Sequence, residues 1–587
     1  MAYDRIPGSR FVFEGVLGER IHANEANWLL RAPDDNPGLL GMFRTRDETP
    51  PPDLVPWAGE FVGKYLISCV QALRMSGPEE LRRQTARSVR ELIATQDADG
   101  YMGPFPKAVR LKANWDLWGH YHCMLALLMW HEETGDKEAL AACRRVADLI
   151  CRTYLHTGLR VKDAGSPEMN MAVIDGLGVL YRRTHEPRYL EMMHEIEKDW
   201  ESAGDYLRTG LAGTPFYKTP RPRWESLHDL QGLVELYRIT GDERYRQAFE
   251  SHWRSIQRWD RHNTGAFSTG EGAIGNPYAP GPIETCCTVA WMAITVDMLR
   301  LTGDPRVADE LELSTWNAGA GAQHPTGQWW TYDTPMDGTR IPSFKAIAFQ
   351  ARPTTPELNC CSVNGPRALG VLTEWAVMAS EKGLAVNFYG PGSFTGKLHD
   401  GTAVTLRWKT DYPRSGRVLL EVETAHPHRF PLLLRIPAWS QATHAQVNKE
   451  AAPDPVPGTY LTLEREWRKG DTVTLDLDMS LRAVKGEHEQ TGRVSLYRGP
   501  LLLAFDPHYN PAGESALHPI RLEAIEQSTV RIPERRPGAD PDQEPWVLVS
   551  VPATEGGTVT LCDYASAGAT GSAYRSWLPV EQAGVGR

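Results

Sequence analysis

Over its first two thirds the chain alternates apolar segments with short polar turns, and the segments on both sides of each turn carry helical spacing. VIDGLGVLYRRT and LQGLVELYRIT repeat apolar residues at that spacing and even resemble each other. The turns are MSGPEE near Ser76, ETGDKEAL near Thr134, RTHEPRYL near Thr184, ITGDERYR near Thr240 and LTGDPRVA near Thr302. They recur roughly every 50 to 60 residues, the mark of a repeated supersecondary unit. Gly stops one helix and Asp starts the next, so each unit reads as a helical hairpin. RALGVLTEWAVMAS, around Leu369 to Met378, supplies a sixth unit whose second helix is not obvious. Six hairpins close into an (α/α)6 toroid; an open solenoid of helical pairs is the competing reading.

After about Lys382 the period changes. GLAVNFYG, TAVTLRWKTDYP, RVLLEVETA, FPLLLRIPAW, YLTLEREW and DTVTLDLDM are short, rich in β-branched and aromatic residues, and separated by Gly, Pro and Asp. They predict an antiparallel β-sandwich. The expected division is a helical barrel over residues 1–385, a sandwich over 386–505, and a β or irregular extension over 506–587 that either stands apart or completes the sandwich. RIPERRPGADPDQEP in the last part reads as an exposed loop.

Composition narrows the function classes. A chain of 587 residues exceeds one compact core, so a multidomain α and β protein is expected. A formal net charge of -11 argues against nucleic acid, and no run of about 18 apolar residues argues against a membrane span. The start, MAYDRIPGSRFVFEG, lacks the basic and apolar regions of a secretory signal, which predicts a cytoplasmic location. The nine cysteines are an odd number, and two pairs are sequence neighbours, so a disulfide framework is not expected.

Two cysteine clusters break the repeat. IETCCTVAW holds Glu284, Cys286 and Cys287; ELNCCSVNGPR holds Cys360, Cys361 and Asn364. Both sit near the starts of helical segments, where the peptide dipoles favour anions and lower a thiol's pKa. A carboxylate with several thiols is a ligand set that zinc accepts in tetrahedral geometry. Buried cysteines in helix contacts and a purely structural zinc are the alternatives.

These motifs match a family. ETCC, NCCSVNGPR, QDADGYMGPF near Tyr101, LRIPAW at Leu434 and YRGPLLL at Tyr497 together resemble the β-L-arabinofuranosidase glycoside hydrolases, from about Arg10 to Asp506. The resemblance implies a helical barrel followed by β-sandwich structure. It also implies a zinc ion held by Glu284, Cys286, Cys360 and Cys361, with Cys360 as nucleophile and an upstream glutamate as general acid/base. Glu271 in FSTGEGAIGNPYAPGPIETCC matches that glutamate best, although its loop departs from the family's wording; Glu225 is the second choice. His228, Tyr332, His120 and Glu168 are the expected substrate contacts, while Ser166 stands where the family often has His, which implies an altered pocket. Trp115, Trp118, Trp329 and Trp330 either stack on sugar rings or pack helices.

The function expected is a retaining exo-glycosidase releasing L-arabinofuranose or a related furanose, such as a branched-chain acid sugar, from a small glycoside. The alternatives are a carbohydrate-binding scaffold with a structural zinc, and a lyase or epimerase on the same toroid. A homodimer is allowed, with no motif behind it.

Overall fold

The Thr-Gly-Asp turns show how the repeat folds. In each, the Thr hydroxyl donates to the carbonyl four residues back, at 2.7 Å for Thr134, Thr240 and Thr302. Gly135, Gly241 and Gly303 then end their helices at φ 75°, 71° and 62°, a left-handed conformation that glycine adopts without a Cβ clash. Asp136, Asp242 and Asp304 accept a backbone N–H from the next first turn, each at 3.0 Å. His185 takes the left-handed place in the Thr184 turn, with Pro187 at the head of the following helix.

The computed structural model describes the chain apart from residues 76, 343–357, 382, 535–543 and 582–587. Ser76 therefore lies outside the described residues, as does most of the RIPERRPGADPDQEP segment. Helices Phe61–Leu73, Asp116–Thr134, Val173–Thr184, Ser226–Thr240 and Thr285–Thr302 pack each on the next, and the short helix Cys360–Asn364 packs between the last and the first. The ring is thus closed, and the open solenoid is excluded. Inner helices are mostly buried, and all 13 residues of Phe61–Leu73 are. Outer helices carry one apolar stripe; Lys137–Tyr154 buries Ala139, Ala142, Cys143, Val146, Ala147, Ile150, Cys151 and Tyr154 and exposes the rest to varying degree.

The sixth unit departs from expectation. RALGVLTEW forms two short helices, Arg367–Gly370 and Leu372–Trp375, but Val377–Ser380 is a strand that pairs antiparallel with Gly383–Val386. Its partner on the opposite edge is Asp4–Arg5. Tertiary strand pairing overrides a pattern that by itself also fits a helix.

Two sheets follow. One runs in the order Asp4–Arg5, Val377–Ser380, Gly383–Val386, His428–Ile436 and Thr459–Trp467. The other contains Glu450–Ala451, His444–Val447, Asp471–Asp476, Arg417–Thr424, Ala403–Thr410, Gly392–Lys397 and Arg10–Phe13. Alternate residues such as Val404, Leu406 and Trp408, or Val418, Leu420 and Val422, are buried, as a sheet with one face inward requires. The pairing is antiparallel except that Gly383–Val386 lies parallel to His428–Ile436. The first strands of the chain thus belong to the sheets rather than to the barrel. A third sheet joins Leu481–Lys485, Arg493–Arg498 and Leu501–Phe505 to Thr558–Asp563, Leu548–Pro552 and Thr529–Arg531, so strands on both sides of residue 505 share one sheet. Tyr574–Arg575 pairs with Asp337–Gly338, tying this sheet to the rim of the barrel.

Arg435 joins helical and β structure. On strand His428–Ile436 and with no exposed side-chain surface, it pairs with Glu312 at 2.6 Å and with Asp309, both on the helix Pro305–Ser314. Replacing one member of a buried ionic cluster strands the others without compensation, a cost of about 3–5 kcal/mol. Arg435→Met is accordingly expected to lower the denaturant midpoint markedly relative to the parent, measured by equilibrium unfolding, whereas an exposed change such as Arg429→Met leaves it nearly unmoved.

Candidate active site

Two helix starts from distant parts of the chain meet in the barrel. Glu284 is the N-cap of Thr285–Thr302, with Cys286 in its first turn. Cys360 and Cys361 open Cys360–Asn364, whose cap Asn359 accepts the Ser362 N–H at 2.9 Å while its own N–H donates to Ser362 Oγ at 3.0 Å. This reciprocal cap sets the direction in which the two thiols project.

Glu284 Oε1 lies 3.4 Å from Cys360 Sγ and 3.3 Å from Cys361 Sγ, Cys361 Sγ lies 3.6 Å from Cys286 Sγ, and the two neighbouring thiols are 3.8 Å apart. All four ligand atoms fall within 4.8 Å of one another, and all four residues are buried. Ligands at zinc bond lengths form a tetrahedron whose edges are roughly 3.3–3.8 Å. The residues fit such an ion in both donor chemistry and spacing. Cys287 is outside the set: its Sγ approaches the other carboxylate oxygen of Glu284, at 3.9 Å.

Burial first, then the neighbouring Cys286, pushes the Glu284 carboxyl well up, and burial does the same to Cys361. Burial also opposes ionisation of Cys286, yet hydrogen bonds from Cys360 and Cys361 and the charge of Lys64 hold its thiol well below the ordinary value. Lys64 was not singled out from the sequence. It is wholly buried, with Nζ 2.8 Å from Glu60 Oε2 and 3.8 Å from Cys286 Sγ, and lies 5.0 Å from the Trp224 ring centre. Its signal was available: a lysine inside the otherwise uncharged run FVGKYLISCVQAL.

A second group surrounds Arg223. The backbone of Gly272 bridges to Arg223, and Trp224 N–H donates to the Glu271 carbonyl at 3.2 Å, so the Thr-Gly-Glu turn is laid against the start of Ser226–Thr240. Glu271 holds φ 72°, an uncommon conformation for a residue other than glycine. Arg223 donates from one nitrogen to Glu225 Oε1 at 2.9 Å and to Glu271 Oε2 at 3.0 Å. Glu168 stands 3.8 Å from both Arg221 and Arg223. Burial raises the Glu225 carboxyl to about 7 against the opposing pull of Arg223.

Tyr332 is brought to the cluster, its hydroxyl 3.8 Å from Cys360 Sγ, and burial followed by that thiol raises its pKa. His228 Nδ1 meets the Tyr121 hydroxyl and Gln231 Oε1, each at 3.0 Å; burial holds it near pKa about 3, so the ring is neutral. His120 lies in the interior, where its Nδ1 meets the Asp116 carbonyl of its own helix at 2.8 Å and its Nε2 accepts the Met102 N–H at 3.1 Å, a bond that helps to hold QDADGYMGPF in place. Among the tryptophans, Trp118 and Trp330 are buried packing residues that donate to Glu60 and Asn24, Trp329 stacks on His324, and Trp115 lies against Trp57.

With this geometry in view, the comparisons decide the family. The profile of the β-L-arabinofuranosidase GH127 catalytic domain matches residues 44–373, and that of the GH127 middle domain matches residues 383–479. The chain belongs to the GH127 family. It is therefore a glycoside hydrolase with a carbohydrate substrate, and the readings as a non-catalytic scaffold, a lyase or an epimerase are set aside. The hydrolase is 24% identical to the non-reducing end β-L-arabinofuranosidase of Bifidobacterium longum subsp. longum, over 86% of each chain. Its fold is similar to a solved GH127 β-arabinofuranosidase (TM-score 0.80, 18% identity, 99% and 98% of the two chains) and to the GH127 β-L-arabinofuranosidase of Geobacillus stearothermophilus T6 (TM-score 0.78, 19% identity, 97% and 100%). Among the described residues no helix is long and apolar enough to cross a membrane.

The raised pKa of Glu225 has a measurable consequence. Between about pH 4.5 and 7 the folded hydrolase keeps this proton while the unfolded chain has lost it, so the contribution to stability is complete below that window and disappears as pH rises through it. Thermal melts across the window are expected to show a shallower loss of stability with rising pH in Glu225→Gln than in the parent.

Proposed function

We propose that this hydrolase is a retaining, exo-acting glycosidase that releases L-arabinofuranose or a related furanose from β-linked glycosides, with the Cys360 thiolate as nucleophile. The carrying observation is exposure: Cys360 retains 5% of its surface, while Cys286 and Cys361 retain 0%. Of the three cysteines in the cluster Cys360 is the one that keeps measurable exposed surface, and the Tyr332 hydroxyl stands beside its sulfur.

Glu284, Cys286, Cys360 and Cys361 would hold a zinc ion, which when bound supplies the positive charge that keeps these buried thiols ionised at neutral pH. In the first step Cys360 Sγ attacks the anomeric carbon, the bond to the aglycone oxygen breaks, and a carboxyl group gives that oxygen its proton. In the second, the same carboxylate takes a proton from water, whose oxygen attacks the anomeric carbon as the carbon–sulfur bond breaks and the electron pair returns to sulfur. Two inversions at one carbon leave its configuration retained. Tyr332 is suited to orient the sugar beside sulfur, and His228 and Glu168 to bond hydroxyls deeper in the pocket.

Glu271 is the carboxyl proposed for proton transfer, on the quarter-exposed turn laid over Arg223. A second reading assigns it to Glu225, favoured by one observation: a carboxyl at about 7 still holds a proton at neutral pH, as a general acid must. The likeness to the Bifidobacterium enzyme, a non-reducing end β-L-arabinofuranosidase, supports the exo, β-L-arabinofuranoside choice.

Cys360→Ala is expected to lower kcat on 4-nitrophenyl β-L-arabinofuranoside by about three orders of magnitude or more, assayed beside a panel of other furanosides; undiminished turnover would exclude this sulfur as nucleophile. Nitrophenolate leaves without protonation, whereas an alkyl alcohol does not. The proton donor is therefore the residue among Glu271→Gln and Glu225→Gln whose loss slows a methyl furanoside far more than the nitrophenyl one. Elemental analysis of the purified parent is expected to find zinc equimolar with chain.

A further inference from the structure

A cleft of about 690 Å³ lies on the flank of the barrel, where the outer helices Glu243–Trp259 and Pro305–Ser314 meet the β structure. None of the cysteine cluster or the Arg223 carboxylates lines it. Its volume is in the class of small-ligand sites, roughly 300–1,000 Å³. Two half-buried aromatic rings, Trp439 and Tyr278, line it. Both are held from behind. The Trp439 indole N–H donates to buried Glu312 at 3.1 Å, and Tyr278 packs on Trp577 with ring centres 5.8 Å apart. Preset rings beside polar groups are the usual means of recognising a sugar, whose C–H faces are apolar and whose rim is not.

The charges in the wall bear on the charge of such a ligand. Every lining carboxylate already has a cation: Asp304 pairs with Arg306 at 2.7 Å, Glu310 with Arg261 at 2.9 Å, and Asp309 and Glu312 with Arg435. Two lining arginines have no carboxylate within ion-pair distance among the described residues. Arg258 lies over the Trp259 ring at 4.5 Å, and Arg482 lies over Trp439 at 5.9 Å and Tyr497 at 5.3 Å, donating to the Gly499 carbonyl at 2.7 Å. Arg482 is half-buried and Arg258 exposed; a guanidinium without a counter-charge, above all one partly withdrawn from water as Arg482 is, favours an anion that can be brought to it.

We propose that this cleft is a second carbohydrate site, distinct from the catalytic centre, that binds an acidic saccharide by stacking a sugar ring at Trp439 and pairing its carboxylate with Arg482 and Arg258. It would hold a charged glycan chain on the flank of the hydrolase while the barrel acts on another part of the same material. The proposal does not depend on which residue is the nucleophile.

The test is calorimetric titration of the metal-loaded hydrolase with α-1,4-trigalacturonate and, as the uncharged counterpart, α-1,4-galactotriose. The acidic trisaccharide is expected to bind, more weakly at high salt, and the neutral one at least about tenfold more weakly. Trp439→Ala and Arg482→Gln should each weaken trigalacturonate binding by about tenfold, leaving turnover of a small aryl furanoside within about twofold. Arg258 is exposed, so Arg258→Gln keeps the test decisive should either partly buried change impair folding, and it should lower affinity in the same direction. Absence of binding, equal affinity for the two trisaccharides, or binding unaltered in Arg258→Gln and in whichever other variant folds would each overturn the proposal.

Discussion

One carboxylate and three thiols sit inside a barrel with their ligand atoms mutually within 4.8 Å, and that concentration of acidic groups is the constraint on which the rest of the site depends. In an interior of low polarity they cannot all ionise unless positive charge is supplied at the same place. The fold contributes part of it through the first-turn peptides of two converging helices and through the Lys64 ammonium beside Cys286. The divalent cation proposed for this site would supply the remainder. The two helix starts come from opposite sides of the ring's closure, so the cluster also ties the short sixth element, Cys360–Asn364, to the fifth inner helix, where the hairpin repeat itself has run out.

The remaining architecture keeps that junction in place. The Thr-Gly-Asp turns fix each hairpin locally, and the inner helices, mostly buried, leave little room for a change of register. Closure at the sixth position is supported from outside the repeat. Arg435 joins the sandwich to Asp309 and Glu312, and Tyr574–Arg575 pairs with Asp337–Gly338 next to the segment carrying Tyr332. The β structure thus buttresses the side of the barrel that carries Tyr332 and the cysteine cluster.

Around Arg223 the chemistry is organised by a single guanidinium. It holds Glu225 and Glu271 side by side although the first begins a helix and the second lies on a strained turn. Environment separates them, one carboxyl being wholly buried and the other reaching solvent. Burial is what raises the Glu225 carboxyl.

The sequence alone determined the hairpin repeat and the change to strands near residue 382, because helix caps and side-chain period are local properties written in adjacent residues. Glu284, Cys286, Cys360 and Cys361 could be chosen by type and by family resemblance without knowing their separation. Tertiary structure decided the rest. It turned Val377–Ser380 into a strand, placed Asp4–Arg5 and Arg10–Phe13 in the sheets, and joined strands on both sides of residue 505, since strand partners are chosen across the whole chain. It assigned His120 to the interior and Lys64 to the cluster, outcomes that depend on which groups become neighbours after burial. The lateral cleft had no sequence signal at all, because Trp439, Arg482 and Arg258 acquire a common purpose only when three separate elements meet.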